Sequence, residues 1–353
     1  MKYILALALC SLVLVPPQAL AQSGRVPNPR SERPNPDDKD TVRLRTEEVL
    51  LPISVRSDTG KLPGFLDRFD FIVAEDGKRQ QVTSVMRTPA NILLVVDASG
   101  EVLTRKNTNL NRELALQIID SLGPEDRAAV VTYSEQITLL SDWTKDKAAL
   151  REALRSKLKP GLKSRFYESV KFAAEGVLPK VSGRRSVVLL TDGVDSEGTK
   201  HFEEARDALH RARATVYVAG HNRMLLEELR PIAFNKLAWF EMIDPKVRNR
   251  YNAMRRYAKQ LEAAEVVLED LAKETGGAMW NPEKRDEFSA LTPKIVEEIG
   301  TEYVVAYSSE RDPLDRAFHL VKIFVTRGDL KVRSRKGVYA NAGARGQGPV
   351  VRE

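Results

Sequence analysis

The chain has 353 residues, 42% of them apolar, which is enough for one large domain or one domain with a small companion. A net charge of +7 invites a nucleic-acid reading, but the lysines and arginines are spread rather than clustered. With the export signal described next, that argues against nucleic acid and leaves affinity for acidic surfaces as the more sensible inference. The one cysteine, Cys10, lies in the first apolar segment, so a processed chain has no thiol, which excludes disulfides, thiolate catalysis and cysteine metal ligands.

Met1-Lys2 precedes an apolar run from Ile4 to Val15, and Ala19-Leu20-Ala21 supplies a small-x-small cleavage pattern. Residues 1–21 therefore read as a secretory signal cleaved after Ala21, predicting a secreted or periplasmic protein. Leu9 is too large for the residue that precedes a lipidated cysteine, and no later run is long and apolar enough to span a bilayer. Residues 22–40, with Pro27, Pro29, Pro34 and Pro36 among charges, read as a disordered linker.

From 41 to 88 the pattern is β: Val42 to Arg56 and Phe69 to Met86, split by Asp58-Thr59-Gly60 and punctuated by Asp76-Gly77. Residues 89–300 then alternate strands and helices. The run Ile92 to Val96 is unbroken apolar sequence, as expected of a parallel strand buried on both faces, and it stops at Asp97-Ala98-Ser99-Gly100-Glu101. Leu110, Leu114, Ile118 and Leu122 recur at helical spacing until Gly123-Pro124. Arg127 to Tyr133 is a strand, Gln136 to Trp143 its hairpin partner or an edge strand, and Ala148 to Leu158 a helix. Ser164 opens another helix with Phe166, Val170, Ala173 and Val177 inside. A second apolar run, Ser186 to Leu190, ends in Thr191-Asp192-Gly193. A polar helix from His201 to Arg213, a strand from Thr215 to Ala219, a short strand around Ala278 to Trp280 and a last helix from Lys284 to Ile299 follow. This alternation predicts an α/β fold with a doubly wound, mostly parallel sheet.

An elaboration at about 223–273 interrupts that rhythm. Phe234, Trp239, Phe240, Met242 and Ile243 precede a helix from Lys246 to Ala272 with Val247, Tyr251, Met254, Ala258, Leu261 and Leu268 along one stripe. The stripe packs on the core, or else the aromatic segment, Trp239 and Phe240 foremost, forms a patch for a partner. Residues 301–340 return to β, in Thr301 to Ser308, His319 to Val325 and Lys331 to Tyr339, and 341–353 form a loose Gly-rich tail. The β flanks are expected to pair into a small sandwich-like companion domain.

Two strands tipped by Asp97 and Asp192 meet at the sheet edge where ligands bind in open α/β folds, so a divalent cation site is plausible on these residues alone. The histidines, His201, His210, His221 and His319, show no metal-ligand or triad spacing, with His201 and His210 simplest as surface residues. No Gly-x-Ser-x-Gly elbow, phosphate-cradling glycine loop or HExxH pair is present, and the expectation is a non-enzyme. Asp192 and Asp195 leave metal-assisted hydrolysis as the third reading, behind a structural envelope component with a vestigial crevice.

Taken together, these segments resemble a von Willebrand factor type A domain, specifically its exported bacterial group with β-segments on both sides. The family's metal-ion-dependent adhesion site uses an Asp-x-Ser-x-Ser loop, a helix-opening Thr and the Asp of a Thr-Asp-Gly turn. Asp97 and Ser99 match the loop, Ser164 in Ser164-Arg165-Phe166-Tyr167-Glu168 takes the Thr position, and Asp192 matches the turn. Glu274-Thr275-Gly276-Gly277, Tyr303-Val304-Val305-Ala306-Tyr307 and the ending at Tyr339 also resemble this group. The resemblance implies a protein-binding module that ligates a partner's acidic residue through Mg2+, or Mn2+ or Ca2+. Glu101, in place of the third loop residue, is a departure. It either ligates the metal or pairs with Arg165, itself a candidate partner-binding residue, and leaves the crevice metal-free.

Overall fold

The structure, a computed structural model, describes residues 47–100, 105–233, 244–312 and 315–339. The expected signal peptide, linker and tail, Glu101, and the aromatic segment with Trp239 and Phe240 lie outside the described residues.

Three strands open the described chain: β1 (Glu47–Ser57), β2 (Phe71–Glu75) and β3 (Lys78–Met86). The α/β core comprises β4 (Asn91–Asp97), α1 (Arg105–Asp120), β5 (Arg127–Tyr133), β6 (Ile137–Thr144), α2 (Lys147–Ser156), α3 (Phe166–Phe172), β7 (Arg185–Thr191), α4 (Phe202–Arg211), β8 (Thr215–Gly220), α5 (Asn222–Ala233), α6 (Pro245–Glu274), β9 (Met279–Trp280), α7 (Arg285–Ser289) and α8 (Thr292–Gly300). Four strands close it: β10 (Tyr303–Ser309), β11 (Phe318–Val325), β12 (Leu330–Ser334) and β13 (Gly337–Tyr339).

The core sheet has the order β6-β5-β4-β7-β8-β9, parallel except for β6, which hairpins back on β5. Leu93 to Val96 and Val187 to Leu190 are buried because helices cover both faces. On one face Leu94, Val96, Val188 and Leu190 pack against Leu114 and Ile118 of α1, Leu150 of α2, and Ile295 of α8. On the other, Leu93, Val95, Val187 and Leu189 pack against Phe166 and Val170 of α3, Leu209 of α4, and Leu268 of α6. The strand order reverses at β4: β5 lies to one side and β7 to the other. The carboxyl ends of β4 and β7 therefore flank the topological switch point, the edge at which open α/β sheets bind ligands.

The flanks pair with each other as expected, but into one sheet rather than a sandwich. Seven antiparallel strands run in the order β12-β1-β10-β3-β2-β11-β13, with Leu51 opposite Val305 and Ile323 opposite Val73. The sheet curls until β12 and β11 approach each other, making a half-barrel. Strand twist permits that closure, and the inward residues Val49, Leu51, Ile53, Val73, Tyr307 and Val321 fill the interior without a second sheet.

Local corrections follow from backbone chemistry. The last helix is two, α7 and α8, because Pro293 in the first turn of α8 has no N–H to continue from α7. α3 starts at Phe166, leaving Ser164 in the loop before it. In α6, Asp244 caps the first turn by accepting from Lys246 N at 2.8 Å. Of the expected stripe, Met254, Ala258, Leu261 and Leu268 are buried, while Val247 is exposed. The first three of these pack with Leu225 and Leu229 of α5 in a satellite cluster, so most of the stripe is core. His210 is buried beside Glu274 and Phe318, not on the surface. No helix among the described residues is long and apolar enough to cross a membrane.

Candidate metal centre

Asp97 ends β4 and is only 3% exposed. Its Oδ1 accepts from Ser99 N at 2.8 Å and Ser99 Oγ at 2.6 Å, the self-capping turn that Asp-x-Ser favours. Its Oδ2 accepts from Thr191 Oγ1 at 3.3 Å, and Thr191 shares a 2.6 Å hydrogen bond with the Tyr133 hydroxyl. The Asn111 side-chain amide donates to the Asp97 and Leu190 carbonyls, locking the ends of β4 and β7 together from α1.

Asp192 follows β7. Its Oδ1 accepts from Val194 N at 2.9 Å and its Oδ2 from the Tyr257 hydroxyl at 2.7 Å. The turn requires Gly193: its φ is +70°, and a Cβ there would stand 2.7 Å from Leu268 Cδ1. Asn222, first residue of α5, donates its side-chain amide to the Asp192 and Leu261 carbonyls. Between these two strand ends runs the loop of Ser164. Gly161 N donates to Ala98 O at 2.8 Å, Ser164 N to Ser196 Oγ at 2.8 Å, and Ser196 N to Ser164 O at 2.9 Å. The Ser164 hydroxyl itself is buried without a partner.

The third group at the carboxylates is His221, directly after β8. One ligand atom each from Asp97, Asp192 and His221 lies within 4.8 Å of the others, and all three side chains are buried. Burial first, and the like charge of Asp192 second, push the Asp97 carboxyl up to about 7. Burial lowers the His221 pKa, favouring the neutral ring. Two carboxylates and a neutral imidazole in a low-dielectric crevice form a set that a divalent cation would stabilise, and the orphaned Ser164 hydroxyl adds an oxygen of the kind such ions take.

Of the residues expected at the site, Asp97, Ser99 and Asp192 share the crevice, Ser164 sits on the loop bridging it, and Glu101 lies outside the described residues. Arg165 ion-pairs with Glu168 on its own helix and donates to the Glu135 carbonyl. Sequence reasoning missed His221, Asn222 and Tyr257. His221 carried a usable signal: it stands at the carboxyl end of a buried parallel strand, as Asp97 and Asp192 do. Tyr257→Phe should remove one hydrogen bond from a buried carboxylate and lower stability by about 1 kcal/mol in urea unfolding with chelator present. A change below about 0.3 kcal/mol would show that this contact is not formed in solution.

Residues 91–249 match the family model of the von Willebrand factor type A domain. No curated protein matches the chain. Among solved structures, proximal thread matrix protein 1 from the mussel byssus, with a zinc-occupied MIDAS motif, is 18% identical. That match covers 64% of this chain and 49% of that one, at a TM-score of 0.44. A von Willebrand factor type A protein from Catenulispora acidiphila is 12% identical over 83% of this chain and 74% of that one (TM-score 0.41). BatB from Bacteroides thetaiotaomicron is 17% identical over 60% and 98% (TM-score 0.37). The chain spans about half the length of the mussel protein.

Proposed function

Because residues 91–249 of this chain are a von Willebrand factor type A domain, we propose that the protein is a non-enzymatic binding module whose crevice at β4 and β7 takes a divalent cation and, through it, an acidic group of a protein partner. The observation that supports this most is the pairing of Asp97 and Asp192 at the switch point, both buried and close enough that the charge of one raises the pKa of the other. A fold that needed only neutral polar capping there could use asparagine. Retaining two carboxylates costs stability unless something positive joins them.

Asp97, Asp192 and Ser164 would hold the cation, with Ser99 orienting Asp97 and Asn111 and Asn222 fixing the two backbones. When bound, the ion supplies an electron-poor centre able to accept a partner's carboxylate oxygen. Ser99 N–H and O–H and Thr191 O–H are directed at Asp97, while Val194 N–H and Tyr257 O–H are directed at Asp192. These bonds orient the two side chains as ligands, a role distinct from that of a mobile general acid or base. The leader-like residues 1–21 favour an extracytoplasmic setting for the interaction.

The test is calorimetric titration of chelator-stripped protein with Mg2+, Mn2+ and Zn2+, alongside Asp97→Ala and Asp192→Ala. Binding to the wild type that is lost in both folded variants is expected. A wild type that ignores all three ions at millimolar concentration would retire the cation mechanism.

A further inference from the structure

Resting on the reading that this crevice holds a cation, we propose that His221 is a protein ligand of the ion, and that the site therefore selects a borderline transition ion, Zn2+ rather than Mg2+. The adhesion-site pattern in the sequence is made of oxygen donors only. The structure adds a nitrogen from an element that pattern does not include, the start of α5 after β8.

A ring nitrogen of His221 lies within 4.8 Å of a carboxylate oxygen of both Asp97 and Asp192. Zn2+–ligand bonds of about 2.0–2.2 Å set tetrahedral ligand atoms about 3–3.5 Å apart, so the three groups need to close by no more than about 1–2 Å, within reach of side-chain rotation. The backbone under His221 is held: its carbonyl accepts from Leu225 N at 3.0 Å in the first turn of α5, and the neighbouring Asn222 amide is bonded to the Asp192 carbonyl. The ring meets Phe288 edge-on at 6.0 Å and 81°, which fixes its plane.

The site also contains unmet polar atoms. His221 is 2% exposed, and its Nδ1 is buried with no hydrogen-bond partner; Ser164 Oγ and Asn222 Oδ1 are in the same condition. Buried polar atoms are satisfied in the great majority of cases, and orphans clustered around two buried carboxylates and an imidazole point to an ion or an ordered water that completes them. Donor chemistry decides which ion. Mg2+ takes octahedral oxygen ligands and keeps its waters, whereas imidazole nitrogen suits Zn2+ and its transition-series neighbours. One nitrogen and two carboxylates match the three protein ligands of an open zinc site, and with Ser164 as a further oxygen a partner's carboxylate would enter as a fifth ligand, a coordination number zinc accepts.

The experiment is a competition titration of the purified, chelator-stripped protein with Zn2+ and Mg2+, for the wild type, His221→Ala, His221→Asn and Asp97→Ala. Folding of each is checked by melting in chelator. The imidazole 15N resonances of the wild type are followed during Zn2+ addition, a readout that needs no variant. Expected are Zn2+ binding about 100-fold or more tighter than Mg2+, a loss of about tenfold or more for Zn2+ in both His221 variants with Mg2+ little changed, and a shift of one His221 ring nitrogen at one equivalent. If Zn2+ and Mg2+ bind the wild type and neither the His221 variants nor the His221 resonances respond, the ligand assignment is overturned while the cation site stands. Zn2+ binding that survives Asp97→Ala would be adventitious, and it overturns the assignment too. No binding of either ion to the wild type removes both readings.

Discussion

Arg184→Ala should lower the unfolding free energy by about 3–5 kcal/mol, among the largest effects expected of any single side chain in this fold. Arg184 is only 5% exposed and its guanidinium joins three segments. Nη1 meets Glu302 Oε2 at 2.7 Å and the Ile299 carbonyl of α8, and Nη2 donates to the Thr88 carbonyl at 3.1 Å. Thr88 lies on the connection from β3 into β4, and Glu302 on the connection from α8 into β10. One buried cation thus secures both crossings between the half-barrel and the α/β core.

Burial raises the Glu302 pKa and Arg184 pulls it back down. Without the arginine, Glu302 must stay charged and unpaired or take up a proton, and either outcome is costly. The paired replacement Arg184→Met with Glu302→Gln should recover most of the loss, because what destabilises is the orphaned charge rather than the missing attraction. Urea unfolding of the two single variants and the pair gives the cycle. A cost under about 1 kcal/mol for Arg184→Ala would mean that the crossing is held by apolar contacts alone. Cation affinity should not change: Arg184 precedes β7 at its amino end, and the crevice is at the other end of the strand, about 20 Å away at about 3.3 Å per residue.

How much could be read before the structure depended on how local the physics was. β4 and β7 were legible because a parallel strand covered on both faces is an uninterrupted apolar run, and the Asp that ends such a run marks the ligand edge. The pairing of the flanks was legible from their placement on both sides of one α/β core, and not from alternation: in β11 His319 is buried while Leu320 and Phe324 are exposed. Closure into a half-barrel was not, because curl depends on twist summed over seven strands and leaves no mark in any one of them.

The site divided along the same line. Asp97, Ser99 and Asp192 sit in turns whose hydrogen bonds span two residues, and so they show in a short motif. His221 and Tyr257 reach Asp192 from 29 and 65 residues further along the chain, from the end of β8 and from α6, and no spacing rule covers that distance. His221 was judged by its separation from other histidines, which is the wrong measure when the partner ligands are carboxylates on neighbouring strands. Position at a strand's carboxyl end was the better criterion, and it would have selected His221 by the argument already applied to Asp97.

Asp97→Asn should make the metal-free protein more stable at neutral pH, although Asp97 sits in a hydrogen-bonded turn. In the folded chain the Asp97 carboxyl is pushed up to about 7, whereas in the unfolded chain it titrates near about 3.9. Between those values the folded state holds a proton that the unfolded state has released. Stability conferred by that proton is complete below about pH 4 and is lost as pH rises through about 7. His221 runs the other way: its folded pKa is lowered by burial, so its neutral ring favours folding above about 6.5, and that contribution is lost as pH falls below it. The two slopes oppose each other in the wild type, and only the comparison with Asp97→Asn separates them.

Asparagine fits the position. Its oxygen can accept from Ser99 N and Oγ as Asp97 Oδ1 does, and its amide can donate to Thr191 Oγ1, whose proton can turn to Tyr133. In chelator, the variant should match the wild type near about pH 4 and exceed it by about 2–4 kcal/mol near about pH 8. Cation at about 1,000 times its Kd should reverse the order, since it adds about 4.1 kcal/mol to the wild type and little to a variant that has lost a charged ligand. Chemical unfolding at the two pH values, with and without metal, reads all four corners. If Asp97→Asn is instead destabilising by the same amount at both pH values in chelator, the carboxylate is stabilised by the fold itself. The crevice would then have no unmet charge for a cation to answer, and the ion would bind, if at all, at a site built for something else.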